Sequence, residues 1–403
     1  MFKQLWSNRV AIGSHFSGKV NYINRNIGIG TQLGLLLLIL LILIIIYSII
    51  RYLSWSRRKQ ELSGIEGFDT KQQSNYPSTT NTNQTATNTN TNTKTTTDAD
   101  INFVQPGDRE CSRLQAYISA KYLIYMNQPN IQARGFDTLA ELTDRYQRGI
   151  CQQITKEELT ETTEWVRREI ARLDNHKFRE IATRWISASW LCKAQPWLEG
   201  GMPHTHDRAI LMRPEWFQSN TTPTKMDIGI LWHEMTHIWQ RLSPQDFTEL
   251  FTSWGFRQIP INAIPKGLEP ILVRSRLNPD ALPNNLWVWF APKSNNSQLA
   301  ISLDLSTDTG YWIGAVYPTV SPQSLHEIEF RAYPLTAGGY VYLGQQSIDL
   351  KDFKLFADFF GSGRNHYHPN ELAAHFMDEL LTDRLKTQYP GCQIFKEWLS
   401  RQS

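Results

Sequence analysis

Asp227-Ile-Gly-Ile-Leu-Trp-His-Glu-Met-Thr-His-Ile-Trp-Gln-Arg-Leu-Ser243 is the stretch whose reading decides the fold. Its spacing predicts a helix, with Thr224 as N-cap, Asp227 three residues on and Pro244 as the stop. His233-Glu234-Met235-Thr236-His237 sits in its middle as an H-E-x-x-H motif. Two histidines four apart rise about 6 Å along a helix and share a face, so both imidazoles can meet one metal ion. Glu234 lies about 100° further round, where a general base for a zinc-activated water belongs. The rest of the segment is mostly apolar, so the helix is expected to be buried. Buried imidazoles and a carboxylate need partners, and a metal satisfies them together.

A catalytic zinc usually takes three protein ligands. A histidine six residues past His237 would be one completion, but position 243 is Ser. Glu371 is the best third ligand. It lies near the start of an expected helix, Pro369–Lys386, off the stripe of Leu372, Ala373, Phe376, Met377, Leu380 and Leu381. Pro369 suits the first helical position. Rival ligands are Glu269, His326, Glu327, Glu329 and His368, and a dipole-complementing role is the plainer reading of Glu371.

Around this centre, residues 101–403 are long enough for one substantial core. Thr155-Lys-Glu-Glu158 is a capping box, followed by Trp165, Ile170, Leu173, Phe178, Ile181 and Trp185 at helical spacing. Gly200–Met212 reads as a turn leading into a short strand. Between about 285 and 350 the segments LWVWF, LAISLDL, YWIGAVY, IEFRAY and YVYLG alternate apolar and polar residues and are expected as antiparallel strands. Helices, a small sheet and helices again make an α+β architecture.

The N-terminal part differs. Residues 1–32 are basic, and 33–50 read LGLLLLILLILIIIYSII, an uncharged run long enough for a transmembrane helix. Residues 51–100 form a juxtamembrane segment and a Thr/Asn-rich linker expected to be disordered. A single-pass membrane protein follows as the expectation. Basic residues flank the run on both sides, so its orientation stays open, and the sequons at Asn83, Asn220 and Asn295 do not decide it. The net charge of +3 shows no basic stripe with interleaved aromatics, which argues against nucleic acid as a partner. The four cysteines contain no C-x-x-C pair, so a cysteine zinc site is not expected; two disulfides are permitted.

The H-E-x-x-H helix followed by a helix opening Asn370-Glu371-x-x-Ala374 resembles the gluzincin metallopeptidases, the thermolysin-like clan with a glutamate third ligand. It is also similar to a little-characterised gluzincin-like group running H-E-x-x-H-x-x-Q-R, Arg-x-x-Asn-Pro-Asp and His-Pro-x-Glu-x-x-Ala-x-x-Phe. Here these read His233–Arg241, Arg276-Leu-Asn-Pro-Asp280 with one fewer spacer, and His368–Phe376. The likeness covers roughly residues 200–385.

The resemblance implies a zincin-like core and a zinc peptidase acting on a peptide or protein substrate, with zinc on His233, His237 and Glu371. It further implies that the strand Arg208–Arg213 is the edge strand that pairs with an extended peptide. Candidates for holding the oxyanion are Tyr340, Tyr342, His366, Tyr367 and His368. One departure stands out. Four residues past the third ligand, the thermolysin-like enzymes carry an acid that orients a zinc-bound histidine, and here the residue is His375. Either Asp378 serves instead or the surrounding partners are rearranged. The rival reading is a catalytically inactive zincin-like body used for membrane display, adhesion or assembly.

Overall fold

Mixed β-pairing is the first thing the computed structural model adds to these expectations. It describes residues 99–217, 225–260, 263–281, 286–291, 309–336, 338–342, 344, 346–362 and 367–402. All of them lie in the unit Asn92–Ser403. Strands β1 (Asn102–Val104), β2 (Trp190–Lys193), β3 (His204–His206) and β4 (Ala209–Met212) form one sheet in the order β1-β2-β4-β3. The first three positions of that order are parallel; β3 runs antiparallel to β4 and forms an edge. Strands β5 (Phe256–Ile259), β6 (Leu286–Phe290), β7 (Gly310–Val316), β8 (Glu329–Thr336), β9 (Val341–Tyr342) and β10 (Ile348–Asp349) form a second, antiparallel sheet.

The helices are α1 (Arg109–Lys121), α2 (Gln128–Ala133), α3 (Leu139–Gly149), α4 (Lys156–Ala171), α5 (His176–Ser187) and α6 (Lys225–Leu242). After them come α7 (Pro244–Ser253), α8 (Glu269–Leu272), α9 (Lys354–Phe360), α10 (Pro369–Leu381) and α11 (Pro390–Arg401). The molecule is therefore α+β, as the sequence indicates. Residues 165–185, which share a helical period, divide into α4 and α5 around a break at Arg172–Asn175. Thr155 and Glu158 make the expected reciprocal cap.

Alternation puts both faces of the first sheet to use. Cys192, Ala209 and Leu211 face a core with Leu114, Ile118 and Tyr146 from α1 and α3. Leu191, Ile210 and Met212 face the main core, with Val166, Ile186, Leu231 and Met235 from α4, α5 and α6. A mostly parallel sheet covered on both faces needs such continuous apolar strands. The second sheet divides likewise: Trp287, Trp289 and Ile313 join the main core, while Val288, Phe290, Trp312 and Leu335 pack with Ile259 and Leu268. Trp239, on α6, stacks on Trp185 and Trp398 at 5.3 and 5.4 Å and donates its indole N–H to Asp246. That grip fixes the rotation of α6. Gly229 fixes how close α10 can lie: a Cβ there would stand 2.1 Å from Asp378 Oδ1.

Two expectations are corrected. No helix among the described residues is long and apolar enough to cross a membrane. The run 33–50 on which the transmembrane helix and the single-pass assignment rested lies outside them, as do the Thr/Asn-rich linker, Thr224, the three sequons and LAISLDL. A hydrophobic run in the sequence does not by itself make a spanning helix, and the membrane-anchored architecture is set aside. Secondly, Arg208–Arg213 contains β4, which is an interior strand; the edges are β1 and β3, and β3 is the one paired with β4. The His-Thr-His triplet of β3 reads as turn in the sequence because it is short and polar. Of the cysteines, Cys111 and Cys151 form a disulfide, and Cys192 and Cys392 are free and buried.

Beneath β3 lies a buried ion pair. Arg134 reaches Glu199 in fork geometry, Nε to Oε1 at 2.8 Å and Nη2 to Oε2 at 2.7 Å. Tyr122 and Tyr146 also donate their hydroxyls to Glu199. Glu199 holds a left-handed backbone, φ 46°, which costs a non-glycine residue about 1–3 kcal/mol. The pair and its two tyrosines hold that turn in place. Burial pushes the Glu199 carboxyl up, but the charge and hydrogen bonds of Arg134 outweigh it and keep it well below the carboxylate range. A depressed folded value gives stability that is full above the unfolded pKa, about 4.3, and is lost as pH falls through the folded value. Glu199→Gln is expected to cost about 3–5 kcal/mol at pH 7, because it leaves Arg134 buried without its charge partner. Denaturant unfolding of both proteins at pH 7 and pH 3 checks this; the gap between them narrows in acid.

Candidate metal centre

Helix α6 carries its polar side chains on one side: His233, Glu234, His237, Gln240 and Arg241 follow at i, i+1, i+4, i+7 and i+8. This face meets the first turn of α10. There His368 is the N-cap, accepting from Asn370 N–H through its Nδ1 at 3.2 Å, and Pro369 is the first helical residue. Glu371 stands in that first turn with its carboxylate turned to α6.

His233 Nε2, His237 Nε2 and Glu371 converge as the sequence predicts, and they form a group able to hold a metal ion. The nitrogens are 3.2 Å apart; Glu371 Oε2 is 3.3 Å from His233 and Oε1 is 3.7 Å from His237. Tetrahedral ligands at about 2.0–2.1 Å from one ion sit about 3.3 Å from each other, so this donor set fits one small divalent cation. His237 is fully buried, Glu371 is 8% exposed and His233 15%, so the site opens on the His233 side.

Partners absent from the sequence reading hold these ligands. Gln240 donates its amide to Asn370 O at 2.8 Å, which leaves its Oε1 to accept from His237 Nδ1 at 2.9 Å. That bond puts the proton on Nδ1 and leaves the Nε2 lone pair for a metal. Asn278 donates to Glu371 Oε1 at 2.5 Å and to the Tyr367 hydroxyl at 2.8 Å. The two acid positions considered in the sequence do neither: His375 pairs with Glu379 and Asp378 with Arg384. The partners are thus rearranged. The i,i+3 spacing of His237 and Gln240 is the one signal that could have found Gln240; Asn278 reaches Glu371 across 93 residues.

Glu234 is buried, and its Oε2 has no hydrogen-bond partner. Asp280 comes close enough for Glu234, His237 and Asp280 to make a second group of potential ligands. The first set fits a cation better, since Asp280 Oδ1 already accepts from Thr205 N–H and Oγ1, both at 2.6 Å. Burial, then the Asp280 charge, raise the Glu234 carboxyl well above its usual range. Burial lowers His233, but the hydrogen bond to Glu371 and the charges of Glu234 and Glu371 prevail and hold it up at about 9. Burial lowers His237. Burial would raise Glu371, yet the charge of His237 and the bond to His233 keep it well below the usual carboxylate range.

Asp280 also bears on the edge strand. Its bond takes the Thr205 backbone N–H of β3, and Arg241 donates to Thr205 Oγ1 at 2.9 Å. The group that an added strand would use at Thr205 is therefore occupied.

The rival ligands lie elsewhere. Glu269 accepts from Gly267 N–H, Glu327 from Gln323 N–H, Glu329 pairs with Arg331, and His326 lies near Gly200. None joins a ligand group among the described residues. Of the oxyanion candidates, His366 lies outside those residues, Tyr340 is exposed, Tyr342 packs on Tyr333, and Tyr367 adjoins Glu371 through Asn278. No protein-family model, curated protein or solved structure matches the chain.

Removing a partner that orients a ligand typically costs about 10–100-fold in metal affinity. Gln240→Leu and Asn278→Ala are each expected to weaken binding of a divalent metal ion by that factor, and His375→Ala to leave it unchanged. Competition against a chromogenic chelator measures all three.

Proposed function

We propose that the chain is a zinc-dependent peptidase that hydrolyses peptide bonds with Glu234 as general base. The observation that carries this reading is a three-ligand set at tetrahedral spacing beside a buried carboxylate oxygen with no partner. A structural metal alone has no use for such an oxygen. The likeness of the three motifs to the gluzincin pattern supports the same reading.

Held by His233, His237 and Glu371, zinc would supply a Lewis acid that acidifies water at neutral pH. The chain's own residues supply the rest. Gln240 and Asn278 hold two of the ligands in orientation, so little reorganisation is needed on binding. Glu234 takes the proton of the attacking water and passes it to the leaving amine. Tyr367 accepts from Asn278, which leaves its own O–H to donate. Burial and the neighbouring Glu371 charge raise its pKa well above the usual value, so it stays protonated and suits a carbonyl oxygen gaining charge. With Thr205 N–H taken, substrate is expected to lie along the Arg276–Asp280 loop instead of extending β3.

The full chain is expected to bind one zinc and cleave members of a peptide library, to lose cleavage to a chelator, and to regain it with zinc. Glu234→Gln should lower the rate by about 10²–10⁴-fold with metal content intact. Undiminished cleavage by Glu234→Gln removes the base assignment. Stoichiometric zinc with no cleavage of any peptide removes the peptidase reading.

A further inference from the structure

Asn278 can orient Glu371 only if something orients Asn278. Packing does little of this for the loop Arg276–Asp280. Arg276, Leu277 and Asn278 border a cavity of about 280 Å³, and Asp280 borders another, of about 180 Å³, together with Arg241. A side chain beside a void lacks the contacts that would hold it there. The loop is placed by its hydrogen bonds, and those that lead to Glu371 run in series.

The series starts on α6. Arg241 Nη2 donates to Thr205 Oγ1 at 2.9 Å. A guanidinium only donates, so the hydroxyl accepts there and keeps its hydrogen for Asp280 Oδ1, at 2.6 Å. The same Asp280 oxygen takes the Thr205 backbone N–H, also at 2.6 Å. Arg241 is held in place from β3 and the loop: Nη1 donates to Asp207 O at 2.9 Å, and Nη2 also reaches Pro279 O at 3.4 Å. Thr205 is 0% exposed, so water does not compete for its hydroxyl. The Asp280 backbone N–H then donates to Asn278 Oδ1 at 3.0 Å. That bond decides which way the Asn278 amide faces. Its oxygen is used on Asp280, and Nδ2 is left for Glu371 Oε1 and the Tyr367 hydroxyl. Turned over, the amide would set its oxygen against the Glu371 carboxylate, two acceptors with no proton between them. The series begins on the helix that carries His233 and His237 and ends on the helix that carries Glu371.

We propose that Arg241 and Thr205 are positioning residues for the metal centre, acting on Glu371 through Asp280 and Asn278. The inference rests on the metal-binding part of the proposed function and not on peptide cleavage. The ligands are then oriented by two separate arms. Gln240 orients His237 from within α6, whereas the series orients Glu371 from β3 and the loop.

Zinc affinity of the full chain, measured by competition with a chromogenic chelator, tests this as a double-mutant cycle. Thr205→Val keeps the shape of the side chain and removes the hydroxyl. It is expected to weaken zinc binding about tenfold, the low end of what removing a ligand's own partner does. In an Asn278→Ala background the same change should alter affinity by less than about twofold, because the link it acts through is already gone. In a Gln240→Leu background the full loss should remain. Thr205→Ser, which retains the hydroxyl, should stay within about twofold of the parent chain. Arg241→Gln cuts the series one bond earlier and should show the same pattern, which keeps the proposal testable if Thr205→Val does not fold. General destabilisation would instead lower affinity alike in every background. No loss in Thr205→Val, an equal loss with and without Asn278, or a loss that also vanishes in Gln240→Leu overturns the proposal. A parent chain that binds no zinc removes it together with the metal-centre reading; zinc bound with Thr205→Val neutral removes it alone.

Discussion

The carboxylate of Glu371 is buried between two helices and has to be satisfied there, and much of the molecule is arranged around that requirement. Two imidazoles from α6 face it and an amide from the Arg276–Asp280 loop donates to it. A buried carboxylate without such partners would take up a proton or drive the helices apart. The packing of α6 on α10 therefore has a polar centre within an apolar contact. Trp239, held between Trp185 and Trp398, sets the rotation of α6, and Gly229 sets its distance from α10.

The Arg276–Asp280 loop joins parts of the fold that share no backbone ladder. It reaches β7 through Arg276, the helical region through Leu277 and Asn130, α10 through Asn278, and the edge strand through Asp280. Asp280 N–H closes the loop on Asn278 Oδ1 at 3.0 Å, which keeps the Asn278 side chain aimed at Glu371. Each of these bonds is short-range, but together they tie ligand geometry to the position of the second sheet. The cavity beside Arg276 forms where that sheet and the loop meet.

Local signals were legible where chemistry and helical period coincide. The metal-ligand pair, Glu234 and the Thr155 cap could all be read because a helix converts spacing along the chain into a shared face. Strands β6 to β9 of the second sheet were legible from alternation, whereas β5 and the two-residue β10 were not read. Gln240 was within reach of the same periodicity and was passed over. Asn278 and Asp280 were quoted only as part of a motif, since nothing along the chain says what a loop side chain will touch. The three-residue strand β3 was invisible for a related reason: two histidines and a threonine become a strand only when β4 pairs with them.

By itself the sequence determined the α+β class and the His233, Glu234, His237 and Glu371 set, because residue type and helical period are local properties. The tertiary structure alone decided which strand forms the edge, that Asp280 occupies it at Thr205, and that Gln240 and Asn278, in place of an acid after Glu371, orient the ligands. These are contacts between residues tens to hundreds of positions apart, and their existence depends on how helices and sheets pack, which no local pattern encodes.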